Sequence, residues 1–218
     1  MGSSMIAMRS SRISRGKQSR TRKAPQAGFS LIEVMMSMVV LTVGMVSMLG
    51  VFGLAMASTQ TTQQDMIAKQ LANEAYESIV TARNTTQIGW DQIQNTSGTQ
   101  YCISMPSPCG IFTGTASSPI FEPIYNAGAD GIYGTADDSV AGEETLQDPG
   151  PDGIFGTADD TYVPLTGYQR AIQISLLYDA GGNLISGLRG ITITVQYTTA
   201  QARTQKTYVV NSFISQYQ

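Results

Sequence analysis

A chain of 218 residues has room for one domain and an appendage. Charged residues are 13 % of it, about half the share of an ordinary soluble domain, and His is absent. The lack of His removes the imidazole-based hydrolase triads, the commonest general base and most zinc sites, and lowers the expectation of an enzyme. The net charge of −3 conceals an asymmetry: seven of the 13 basic residues (Arg9, Arg12, Arg15, Lys17, Arg20, Arg22, Lys23) precede position 28, and none of the 16 acidic residues does. Beyond residue 28 the chain keeps 6 basic and 16 acidic residues, a net charge of −10. Such a remainder does not attract phosphates, so no nucleic-acid partner is expected.

From Val34 to Ala57 run 24 residues without a charge. As a helix they span roughly 36 Å, more than the bilayer core of about 30 Å. Basic residues stand before this span and not directly after it, which predicts a cytoplasmic N-terminus and an external remainder. A secretory signal predicts a shorter apolar stretch and a small-residue cleavage site. Here helical patterning continues instead. Between Asp65 and Asn84, Ile67, Leu71, Ala75, Ile79 and Ala82 recur at spacings of four and three, while Lys69, Glu74, Glu77 and Arg83 mostly lie off that stripe. No Pro interrupts Phe29 to Asn84, so the prediction is one helix of about 56 residues and roughly 84 Å. Gly44, Gly50 and Gly53 soften it locally where it packs on neighbouring helices.

The middle, 85–167, is rich in Gly, Thr, Ser, Asp and Pro and reads as loop. Trp90 is expected to anchor the core. Cys102 and Cys109 are the only cysteines. Outside the cytoplasm they predict a local disulfide, contributing roughly 2–3 kcal/mol or less and pinning a surface loop. Residues 126–138 (NAGADGIYGTADD) and 148–160 (DPGPDGIFGTADD) are near-copies offset by 22 positions. Each sets an acid before a Gly-supported turn and two more after it. Asn126, Asp130, Asp137 and Asp138, with Asp148, Asp152, Asp159 and Asp160, are candidate hard-oxygen ligands for Ca²⁺. The spacing is not that of an EF-hand; it resembles acidic calcium-loop repeats of bacterial surface proteins. The competing reading is a solvated acidic loop with Asp-Gly turns. The end returns to strand pattern at 170–179, 188–199 and 205–215, with turns at Gly181-Gly182-Asn183 and around Ala200-Gln201-Ala202. Three antiparallel strands on the exposed half of the helix give an α+β head.

The junction reads Ala27-Gly28-Phe29-Ser30-Leu31-Ile32-Glu33-Val34. It resembles the prepilin cleavage and methylation signature of type IV pilins and of type II secretion pseudopilins: a basic leader ending in Gly, then Phe, then an apolar helix with Glu at the fifth mature position. The resemblance covers residues 28 to about 84, and the final strands in outline. It implies the type IV pilin fold, a structural and not enzymatic role, and a membrane-embedded prepilin peptidase that cuts after Gly28 and methylates the amino group of Phe29. It also implies pairing of Glu33 with the N-terminal amine of a neighbouring pilin subunit, and assembly by an inner-membrane platform. The precursor is then an inner-membrane protein, and the mature chain belongs to a pilus at the cell surface.

The corresponding divisions are a cleaved leader (1–28), a transmembrane and assembly helix (29–57), its amphipathic continuation (58–84), a loop region (85–167) and a sheet (168–218). The segments VVLTVG and AKQLANEAYESI are similar to PilV-type minor pilins, which promote assembly or adhesion. The apolar helix lacks the Pro that many major pilins carry. Alternatives are a pseudopilin, which moves in a secretion piston, and a single-pass anchored surface binding protein.

Overall fold

The computed structural model describes residues 28–199 and 204–217. The basic leader before Gly28 and the predicted turn at Ala200–Ala202 lie outside these. The chain divides after Gly50 into two units.

Helix α1 spans Leu31–Asn84, 54 residues. It starts two residues later than predicted because the Ser30 carbonyl is the first to accept, from the amides of Glu33 (3.0 Å) and Val34 (3.2 Å). In the first unit every described residue is exposed, and Leu31 to Leu49 presents Leu, Ile, Val and Met on all sides. Its few hydroxyls are satisfied internally: Ser37 donates to the Val34 carbonyl, Thr42 to Val39 and Ser47 to Val43, each at 2.8 Å. A helix that closes its own polar groups in this way can sit in hydrocarbon. Among the described residues, α1 is the one helix long and apolar enough to cross a membrane.

In the second unit α1 changes character. Ala68, Leu71, Ala72, Ala75, Ile79 and Ala82 are buried, a stripe at helical spacing that includes Ala68 and Ala72 beyond the predicted set; Ile67 is only partly buried. The helix ends where the Thr85 amide and hydroxyl both bond the Thr81 carbonyl at 2.9 Å and the chain reverses through Thr86 at φ +58°.

The stripe packs on a sheet with strand order β3-β6-β7-β8, in which β3 is Glu122–Pro123, β6 Tyr168–Tyr178, β7 Leu184–Thr198 and β8 Gln205–Ser215. All its pairings are antiparallel. The fold is thus α+β, as expected, with a fourth strand that the sequence did not signal, two residues long and ending in Pro. Rows across the sheet face α1: Ile172–Ile193–Val210, Ile174–Ile191–Ser212, Leu176–Arg189–Ile214 and Arg170–Val195–Tyr208. The period-2 alternation of β6 and β7 produces this face.

The region 85–167, expected as loop, holds a 3-10 turn at Trp90–Gln92, one short helical turn at Asp138–Ala141 and four further short strands. β1 (Asn95–Ser97) pairs parallel with β2 (Phe112–Thr115), and β4 (Thr145–Asp148) pairs with β5 (Thr161–Pro164) as a hairpin. Asn95 ties β1 to β6: its amide donates to the Ile172 carbonyl at 2.8 Å and its oxygen accepts from the Ile174 N–H at 2.7 Å. One buried side chain thereby replaces a strand at that edge.

Ile193 is fully buried at the centre of the inward face. Ile193→Ala should cost roughly 2–5 kcal/mol in urea unfolding of the full chain in detergent, against under about 0.5 kcal/mol for Val209→Ala on the outer face.

Candidate functional site

The junction singled out by the sequence lies at the head of α1. Gly28 has nothing within 4 Å of where a Cβ would stand, and the Phe29 side chain is 82 % exposed. Glu33 sits in the first turn, exposed, and has no ion-pair partner among the described residues. The acid one turn in faces the positive end of the helix dipole, worth about 1 kcal/mol or less.

Residues 23–49 match the family model of the prokaryotic N-terminal methylation motif. The chain carries a prepilin-type N-terminus. The motif supports a type IV pilin-like or pseudopilin-type substrate of prepilin peptidase, anchored in a membrane as the precursor. No curated protein and no solved structure matches the chain significantly.

The acidic repeat forms two turns of the same build. In the first, the Ile132 N–H bonds Asp130 (2.8 Å), the Gly134 N–H bonds Asp138 (2.6 Å) and the Thr135 hydroxyl bonds Asp137 (2.6 Å). In the second, Ile154 bonds Asp152, Gly156 bonds Asp160 and Thr157 bonds Asp159 at the same three distances. Gly131 and Gly153 share φ +69°, which only Gly adopts at no steric cost. Among the described residues, one group of three acids brings an oxygen each within 4.8 Å of one another: Asp130, Asp137 and Asp138. Asn126 is tied instead to the carbonyls of Gly142 (3.4 Å) and Glu143 (3.3 Å), and the Asp148 carboxylate accepts from the Gly150 N–H at 3.4 Å. The eight candidate ligands are therefore not gathered at one point, and the six repeat aspartates accept hydrogen bonds that build the turns.

Environment separates the copies. The first packs on the core: Ile132 is 1 % exposed, Arg170 stacks on the Tyr133 ring at 4.4 Å, and the Tyr133 N–H bonds the Ser78 hydroxyl of α1 at 3.3 Å. The second caps the β4–β5 hairpin in solvent, with Ile154 and Phe155 exposed. Burial accordingly pushes the Asp138 carboxyl above its usual range. For its counterpart Asp160 a weaker burial effect is outweighed by hydrogen bonds from the Gly156 N–H, Gln147 and Thr157, which hold it below.

The disulfide between Cys102 and Cys109 closes a loop clamped to the head by Asp91. One Asp91 oxygen accepts the N–H groups of Ile103 (2.8 Å), Ser104 and Met105 (3.1 Å). Burial raises the Asp91 pKa, and these three donors outweigh that and lower it. Trp90 is partly buried, donates to the Ser186 carbonyl at 2.9 Å, and lies under the Arg189 guanidinium at 4.6 Å.

Sequence reasoning missed the two buried arginines, Arg170 and Arg189, although both occupy the inward register of their strands. Burial lowers the Arg189 pKa to about 10. Arg170 donates to the Leu71 carbonyl of α1 at 3.3 Å and supplies positive potential to Glu74, Asp138 and Glu144.

Desolvation raises the pKa of Glu74, Asp138 and Glu144. These groups bind protons in the folded state before the unfolded chain does, so stability rises as pH falls through their folded pKa values. Hydrogen bonds lower Asp91, Asp137 and Asp179, whose contribution is present above the unfolded value near 3.9 and is lost as pH falls through the folded one. The expected profile of Tm for the full chain in detergent peaks in mildly acidic buffer, declines toward pH 7, and falls steeply below about pH 4.

Proposed function

We propose that the chain is the precursor of a structural, non-catalytic subunit of a type IV pilus, a minor pilin of the PilV type. Prepilin peptidase cuts it after Gly28 and methylates Phe29, and the subunit assembles through α1. The observation that carries this reading is the methylation motif coinciding with a helix whose first part, from Leu31 to Ala57, is apolar on every side, satisfies its own hydroxyls, and bears one acid, in its first turn. In hydrocarbon that acid costs up to a few kcal/mol, more than the helix dipole returns. The free N-terminal amine of a neighbouring mature subunit supplies the missing counter-charge. Their pairing sets the axial register as subunits leave the bilayer, while the exposed Val, Leu and Met surface exchanges lipid for other subunits' helices. The leader orients the precursor with its N-terminus in the cytoplasm and the head outside.

N-terminal sequencing of the chain from a host with prepilin peptidase should give N-methyl-Phe29; a retained Met1 would falsify the reading. Glu33→Ala should stay membrane-inserted and lose on the order of tenfold in filament incorporation, the size expected when a buried charge pair worth over about 1.4 kcal/mol is removed. If deletion of the chain blocks protein export and leaves pili intact, the subunit belongs to a secretion pseudopilus instead.

Calcium at Asp130, Asp137 and Asp138 is a separate element of this reading, resting on their oxygen chemistry and mutual distance. Millimolar Ca²⁺ should raise the Tm of the full chain by several degrees, since a ligand at 100 times its Kd adds about 2.7 kcal/mol. No shift would leave the aspartates as turn-forming acceptors alone.

A further inference from the structure

The two repeat copies pose a question that the filament reading does not answer. A turn that buries Ile132 and Tyr133 in the first copy presents Ile154 and Phe155 to water in the second, 60 % and 64 % exposed. Tyr162 and Val163 on β5 are also exposed, and the turn itself carries Asp152, Asp159 and Asp160, so exposed apolar and acidic side chains share this hairpin. The first copy shows what such a tip binds: a hydroxyl on α1 (Ser78), a cation against its ring (Arg170) and an apolar slot.

The head carries an open groove of the same chemistry. Between α1 and the free edge of β8 lies a groove of about 430 Å³. Thr62 gives it a hydroxyl on α1, Met66 and Tyr208 an apolar lining, and Lys69 and Lys206 two cations. Asp65, its one acid, is occupied by Lys206 at 3.5 Å and by the Tyr197 hydroxyl. Lys69 has no ion-pair partner among the described residues. The described chain holds five basic residues; Arg170 and Arg189 are buried, and two of the other three line this groove. On a mature chain of net charge −10, this is where an acidic, aromatic tip is attracted instead of repelled.

We propose that the second acidic turn is a plug, and that it docks Phe155 and Ile154 in the α1–β8 groove of a second copy of this chain. Plug and groove are different surfaces, so the contact is heterologous and propagates from copy to copy. Phe155 is the anchor, Lys69 and Lys206 face the turn's carboxylates, and added salt weakens the contact. The proposal goes beyond the filament reading and rests on it only for removal of the basic leader, which leaves the net charge at −10.

The test uses the full chain in membranes and in detergent, with Phe155→p-benzoylphenylalanine and irradiation. The expected product has twice the chain mass, with crosslinks mapped by mass spectrometry to the segment around Met66 or around Tyr208. Lys69→Glu and 0.5 M salt should each reduce that product about tenfold, the loss expected from a contact of about 1.4 kcal/mol. Crosslinks confined to one chain, to other surfaces of the second copy or to lipid, or none at all, would overturn the proposal. So would a yield indifferent to both Lys69→Glu and salt. N-terminal processing is read on the same sample, so failure of the plug and failure of the filament reading are told apart.

Discussion

The rest of the head depends on one contact, the packing of the alanine-rich stripe of α1 against the inward rows of β6, β7 and β8. Four of the six buried helix residues are Ala (Ala68, Ala72, Ala75, Ala82), and they meet large branched side chains, among them Ile172, Ile174, Ile191 and Ile193. Small side chains on the helix leave room for large ones on the sheet, and burial of this apolar surface supplies most of the favourable term. Polar contacts then fix the helix along its length: Asp65 with Tyr197, the Leu71 carbonyl with Arg170, Tyr76 with Ser212, and Ser78 with the Tyr133 amide. Each is satisfied on both sides, so none imposes the full penalty of an orphaned buried group.

The same helix carries two solvation regimes, which is why one element can serve both as anchor and as core. Up to Ala57 its side chains are apolar all round, save Glu33 and hydroxyls that bond their own backbone; past Asp65 only one stripe is apolar. A uniformly apolar surface tolerates lipid or other helices equally well, so exchanging one for the other costs little. A one-sided surface cannot make that exchange. It holds the sheet permanently.

The large elements were legible in the sequence because each has a period. The charge-free run gave the span, the spacing of Leu71, Ala75, Ile79 and Ala82 gave the helix stripe, and alternation gave three strands. The methylation motif was legible because a basic leader, a Gly-Phe step and an apolar span follow one another in fixed order. What escaped has no period. β3 is two residues long, β1 and β2 are held by the Asn95 side chain, and β4 and β5 are only four residues each. Arg170 and Arg189 drew no attention, because sequence alone does not show which face of RAIQIS or LRGITI turns inward. Only the register, Arg170 opposite Val195 and Arg189 opposite Leu176, places both on the inward face, Arg170 against the Leu71 carbonyl of α1 and Arg189 against Trp90 and Ile93.

The duplicated turn separates what local sequence dictates from what tertiary context decides. Both copies reach the same hydrogen bonds and the same glycine dihedrals, one against the core and the other in solvent, so the stretch they share, DGIYGTADD at 130–138 and DGIFGTADD at 152–160, forms the turn without needing burial. Local and global preferences agree in the first copy, where Ile132 completes the apolar cluster. In the second copy the turn is equally well formed, yet its two apolar side chains lower no free energy within the chain. Gln147 and the Asp160 carboxylate brace the hairpin beneath that tip. A braced turn is already ordered, so seating its apolar residues elsewhere requires little further loss of conformational entropy.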